Sequence, residues 1–77
     1  MALNWVPRLK YTQAETDTHR YRITYTAFEG GLLHVWQFDD NAPYGRKLIH
    51  DRPHNTVAAA KRTAEYIASV IAEHGPK

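Results

Sequence analysis

The sequence predicts an α+β fold: a three- to four-stranded antiparallel sheet with one C-terminal helix packed on one face, in the order β-β-β-(β)-α. Three observations carry this. Two stretches, 3–11 and 20–38, alternate apolar and polar residues with the period of a strand. The pair Gly30-Gly31 interrupts the second stretch as a hairpin turn would. Only residues 56–74 repeat with the period of a helix. A chain of 77 residues buries about 60% of its unfolded surface, enough for one small core, so a single domain is expected over 1–77.

Leu3, Trp5, Pro7, Leu9 and Tyr11 alternate with Asn4, Val6, Arg8 and Lys10, which predicts a first strand over 3–11. Pro7 lacks the N–H that a central strand donates, so this strand is expected at an edge or bulged at that position. Thr12–His19 is polar, carries Glu15 and Asp17, and reads as a loop. Tyr21, Ile23, Tyr25 and Ala27 alternate with Arg20, Arg22, Thr24, Thr26 and Phe28, rich in the β-branched and aromatic residues that suit a pleated surface. Gly30-Gly31 is then expected to supply the positive φ angles of a tight turn, and Leu32–Phe38 to return. Residues 39–45 (DDNAPYG) are turn-formers throughout. Arg46–His50 is expected as a short fourth strand and Asp51–Asn55 as a connector.

The helix is expected over Thr56–His74. Val57, Ala60, Ala64, Ile67 and Ile71 recur at intervals of three and four, with Tyr66 and Val70 widening the stripe. Asn55 or Thr56 is suited to cap its start, and Gly75-Pro76 to end it. Ala60 and Ala64 are small enough to bring the helix close to a sheet.

One helix cannot cover both faces of such a sheet. Leu33 and Val35 point one way along the return strand, whereas Leu32, Trp36 and Phe38 point the other. An aromatic-bearing face is therefore expected to stay open for a second copy of the chain, a ligand, or the folded-back first strand.

Catalysis finds little support. The chain has no cysteine, which excludes disulfides, thiolate nucleophiles and cysteine-ligated zinc. The single serine, Ser69, falls within the helix. Asp39-Asp40 offers oxygens to a magnesium ion but lacks the further carboxylates and lysine of a metal nuclease, and reads as a solvated turn. His50 and His54 are four apart, a spacing for a helix face that Pro53 disfavours, so they read as a histidine-rich surface loop. The expectation is a non-enzymatic protein with no catalytic residue, cofactor or metal. Met1–Lys10 holds no signal-peptide core, and no apolar run approaches the ~20 residues that span a bilayer. A complete small gene product in the cytoplasm, without membrane contact, is expected.

Ten Lys and Arg against eight Asp and Glu leave a net charge of +2, too little to name a partner. The distribution is uneven. Residues 29–45 hold Glu29, Asp39 and Asp40 with no base, whereas residues 46–62 hold Arg46, Lys47, Arg52, Lys61 and Arg62 against Asp51 alone. Nucleic-acid binding through those five bases, extended by Arg20 and Arg22, is one reading. Trp5, Tyr21, Tyr25, Trp36 and Phe38 could stack bases in that case. The same aromatics suit a protein interface. The favoured expectation is a protein-interaction module and homodimer using the open face or an edge strand. Trp36 and Phe38 would be its anchors, with His34 and Arg22 beside them.

YRITYTAFEGGLLHVWQFDD followed by TVAAAKRTAEYIASVI resembles the HicB-like antitoxins, whose β-hairpin, third strand and alanine-rich helix come in that order. The helix with Ala60-Lys61 and Ala64-Glu65 is also similar to the last helix of double-stranded RNA-binding domains. Both resemblances cover residues 21–74, and they imply the fold without assigning site residues. A short cysteine-free module is similar as well to accessory proteins of bacteriophages and mobile elements. That resemblance implies an inhibitory role exercised by binding one host protein.

Overall fold

A computed structural model describes residues 3–74. They form a five-stranded antiparallel sheet in chain order, β1 (Val6–Pro7), β2 (Tyr11–Glu15), β3 (His19–Tyr25), β4 (Gly31–Phe38) and β5 (Arg46–His54), followed by one helix, α1 (Val57–His74). The α+β class and the single helix on one sheet face agree with the expectation. The sheet has more strands than the apolar pattern announced.

The core lies between the helix and one face of the central strands. Tyr21 and Ile23 of β3, Leu33 and Val35 of β4, and Ala60, Ala64 and Ala68 of α1 are all buried. Small residues on the helix let it sit close: a Cβ added to Gly31 would lie 3.6 Å from that of Ala60 and 2.6 Å from Ile23 Cγ2. Val57 and Ile67 pack at the margin of the core. Tyr66, expected in the apolar stripe, is 70% exposed. At 100° per residue it is too far round the helix from the alanine row. Thr56 caps α1, its hydroxyl accepting the Ala59 N–H at 3.0 Å. The expected stop at Gly75-Pro76 lies outside the described residues.

The strand expected over 3–11 is broken. The Arg8 N–H donates to the Tyr11 carbonyl at 2.7 Å, the chain reverses, and Leu9 stands exposed at the tip. Residues 12–15, expected as loop, continue instead as β2, with Thr12 opposite Ile23 and Ala14 opposite Tyr21. Leu3 and Trp5 fold onto the helix side, so they leave the open face open.

The β3–β4 hairpin also departs from expectation. Its positive φ angles fall on Phe28 (59°) and Glu29 (64°), whereas Gly30 has φ of −74°. Gly30 and Gly31 are needed for room: a Cβ on Gly30 would meet Thr26 Oγ1 at 2.5 Å and the His54 carbonyl at 3.1 Å.

Strand β5 runs nine residues, through the segment expected as a connector. An edge strand tolerates Pro53, because a missing donor there costs no ladder bond. Among the described residues no helix is long and apolar enough to cross a membrane.

Candidate interaction face

Directly paired residues of an antiparallel sheet share a face, so the register assigns the face opposite α1. It carries Tyr11, Gln13 and Glu15 from β2, Arg20, Arg22 and Thr24 from β3, and Leu32, His34, Trp36 and Phe38 from β4. From β5 it carries Arg46, Leu48, Asp51 and Pro53.

The edge-strand residues reach this face through a β-bulge. Val35 pairs with His50 but Trp36 pairs with Leu48, leaving Ile49 as an extra residue. In an unbroken ladder, period-two alternation would set Arg46 on the helix side. The bulge turns it toward Trp36.

A diagonal row of rings and guanidiniums results. The Arg22 guanidinium carbon lies 4.5 Å from the Tyr11 ring centroid and 5.3 Å from that of Trp36, and the Arg46 guanidinium lies 5.0 Å from Trp36. Each neighbour in the row Tyr11, Arg22, Trp36, Arg46 is offset by two residues from the direct partner. Such diagonal neighbours are within reach of long side chains. Cation–π attraction of about 0.5–1 kcal/mol per exposed contact holds the row in place. His34 stacks on Trp36, with ring centroids 5.4 Å apart and planes 15° from parallel, and its Nε2 lies 3.4 Å from Asp51 Oδ1. Arg20 pairs with Glu15 at 2.7 Å and approaches Phe38 at 5.8 Å.

Arg22 donates from Nε and Nη2 to Gln13 Oε1 at 3.1 and 2.9 Å, which fixes its plane. Among the described residues neither Arg22 nor Arg46 has a carboxylate at ion-pair distance. Both keep N–H groups for an external acceptor, since a guanidinium carries five.

Trp36, Phe38, His34 and Arg22, the residues expected to bind a partner, therefore fall together on one face. Tyr11, Arg20 and Arg46 join them. The other aromatics weighed for that role divide: Tyr21 is buried in the core, Trp5 packs beside it, and Tyr25 shares its side of the sheet.

The five bases of the nucleic-acid reading are not brought together. Arg46 is on the open face, whereas Lys47 and Arg52 are exposed on the opposite side of β5. The Lys61 ammonium sits 5.8 Å from the Trp5 ring, and Arg62 is on the exposed back of α1.

His50 and His54 share the helix side of β5, each with Nε2 buried and without a hydrogen-bond partner. Burial, then the neighbouring His54 and Arg52, pushes the His50 pKa below the ordinary imidazole value. Burial also lowers that of His19. Among the described residues no three His, Asp or Glu side chains gather where they could hold one metal ion.

In comparison with known proteins, no family model, no curated protein and no solved structure matches this chain.

Proposed function

We propose that this chain is a non-enzymatic interaction module that docks a partner protein on its open sheet face. One observation carries the reading: Trp36 has both the Arg22 and the Arg46 guanidinium over its ring, on a face that α1 leaves uncovered. Trp and Arg in a rigid, part-desolvated cluster are the residue types that dominate interface energetics.

The edges are less suited to the task. β1 has two residues and ends in Pro7, and β5 carries Pro53, the bulge at Ile49 and the charges of Lys47, Asp51 and Arg52. Short length, proline, bulges and charge all discourage strand addition. A second copy fits the open face poorly, because a two-fold axis near Trp36 would oppose arginines to their own copies. The partner favoured is thus a different protein.

A displayed library of random peptides, selected on the wild-type chain and counter-selected on Trp36→Ala, tests this. Binders that require Trp36 and shift amide resonances of β3, β4 and β5 are expected, with Trp36→Ala still folded by circular dichroism. Absence of any Trp36-dependent binder would overturn the reading, as would tight oligonucleotide binding that weakens steeply between about 50 and about 200 mM salt. Sedimentation of the free chain as a dimer that Trp36→Ala dissociates would reassign the face to self-association.

A further inference from the structure

Resting on that reading of the open face, we infer that the partner's recognised element is an extended segment with paired carboxylates at its centre, clamped by Arg22 and Arg46 across Trp36.

The inference starts from charge that has no internal partner. Three guanidiniums of β3 and β5 lie on the face, and the structure treats them differently. Arg20 is neutralised by Glu15 at 2.7 Å. Arg22 is anchored by the uncharged Gln13, and Arg46 is held by the Trp36 ring. Two positive charges are thus oriented beside an aromatic ring with no anion against either among the described residues. A guanidinium lying over a ring still directs N–H groups outward in its own plane, where a carboxylate can accept two of them.

Spacing selects the ligand's shape. Each guanidinium carbon is within 5.3 Å of the indole centroid, so the two are no more than about 10 Å apart. Alternate side chains on one face of an extended peptide are about 7 Å apart. Two glutamates separated by one residue therefore span the clamp with their side-chain reach to spare. The residue between them turns its side chain away, leaving the peptide backbone over Trp36.

Sign selects protein over nucleic acid. Asp51 lies on the same face as the clamp, on β5, with the His34 imidazole beside it. A phosphodiester strand crossing the sheet would run its evenly spaced charges onto that carboxylate. Arg22, Arg46 and His34 already crowd the indole, at 5.3, 5.0 and 5.4 Å from its centroid, and compete with any base that would stack there. A short acidic element meets neither obstacle.

The test uses the full chain and a capped pentapeptide with glutamates at positions two and four, compared with its glutamine analogue and with an oligothymidylate. Binding is read by amide and arginine Nε–Hε shifts. The glutamate peptide is expected to bind at least tenfold more tightly than its glutamine analogue. Arg22→Gln and Arg46→Gln are each expected to weaken it roughly tenfold, the scale of one lost charge-assisted bond. Arg20→Gln, on the same face but already paired, is expected to change affinity less than twofold, and melting curves check that each variant is folded. Equal binding of the two peptides, or tighter binding of the oligothymidylate, would overturn the inference. Selection of Trp36-dependent but neutral peptides from the library would overturn it too while leaving the docking face in place. Failure to obtain any Trp36-dependent binder would bring down both.

Discussion

The carboxylate of Glu65 accepts the backbone N–H of Leu3 through both oxygens, at 2.9 and 3.0 Å. The same carboxylate takes the Trp5 indole N–H at 3.3 Å, and Lys61, one helical turn earlier, lies 5.8 Å from that ring. A helix residue thereby clasps the first described segment of its own chain, which seats Leu3 in the core instead of leaving it to pair elsewhere.

Glu65→Ala is expected to leave the Leu3 N–H and the Trp5 indole without their acceptor, a loss of about 1–3 kcal/mol. Tryptophan emission should shift to the red as Trp5 meets water, and denaturant midpoints should fall. An unchanged midpoint and spectrum would mean that this clasp contributes nothing in solution.

The turn of the β3–β4 hairpin is strained in its backbone, because Phe28 and Glu29 both hold positive φ angles and the Phe28 ring is 98% exposed. A left-handed residue with a Cβ costs roughly 1–2 kcal/mol, and this ring recovers nothing by burial. Phe28→Asn with Glu29→Gly, the residues that two-residue turns of this hand prefer, is expected to stabilise the fold. A gain of about 1 kcal/mol would raise Tm by roughly 4–8 °C in a domain of this size. A lower Tm would instead show that the Phe28 ring contributes a contact.

Glycines at two other places should respond unequally. In Gly31→Ala the new methyl would lie 2.6 Å from Ile23 Cγ2 in the core, an overpacking expected to cost about 1–3 kcal/mol or more. Gly45→Ala meets nothing, and only its φ of +73° opposes it, at about 1 kcal/mol. Urea titration of the two variants should rank Gly31→Ala as the more damaging. The reverse order would mean that the Ile23 side chain turns aside to make room.

Acid should weaken the fold through His50 and His19. The folded-state pKa of His50 is lowered, chiefly by burial, so the unfolded chain takes up the proton first. Stability from keeping His50 neutral is therefore complete above the ordinary imidazole value of about 6.5 and is lost as pH falls through it toward the folded-state value. His19, lowered by burial, acts in the same direction. Tm is expected to decline between pH 8 and 5, and His50→Gln to flatten part of that decline. An equal slope in the variant would assign the effect elsewhere.

Strands were legible where one face is apolar and buried. Ile23, Leu33 and Val35 alternate clearly because the helix covers them, and the alanine row of α1 repeats at intervals of four because it meets that same face. β2 was illegible for the opposite reason. Its inward residues are Thr12 and Ala14, each 2% exposed, and neither is apolar enough in sequence to announce burial that neighbouring elements impose. The last four residues of β5, Asp51-Arg52-Pro53-His54, carry turn-forming chemistry, yet an edge position lets them extend. In sequence Gly30-Gly31 suggests a source of positive φ, whereas packing against Thr26, His54 and Ile23 is what requires it.

Sequence alone determined the class of fold and the side of β4 that His34, Trp36 and Phe38 share, because alternation along a single strand decides which residues share a side. It could not determine which residues from different strands meet. Tyr11 and Arg46 reach the Arg22–Trp36 pair only through strand register, and for Arg46 that register turns on one extra residue, Ile49. Period-two alternation is local to each strand, but the offset between strands is set by turns, bulges and the packing of the whole sheet.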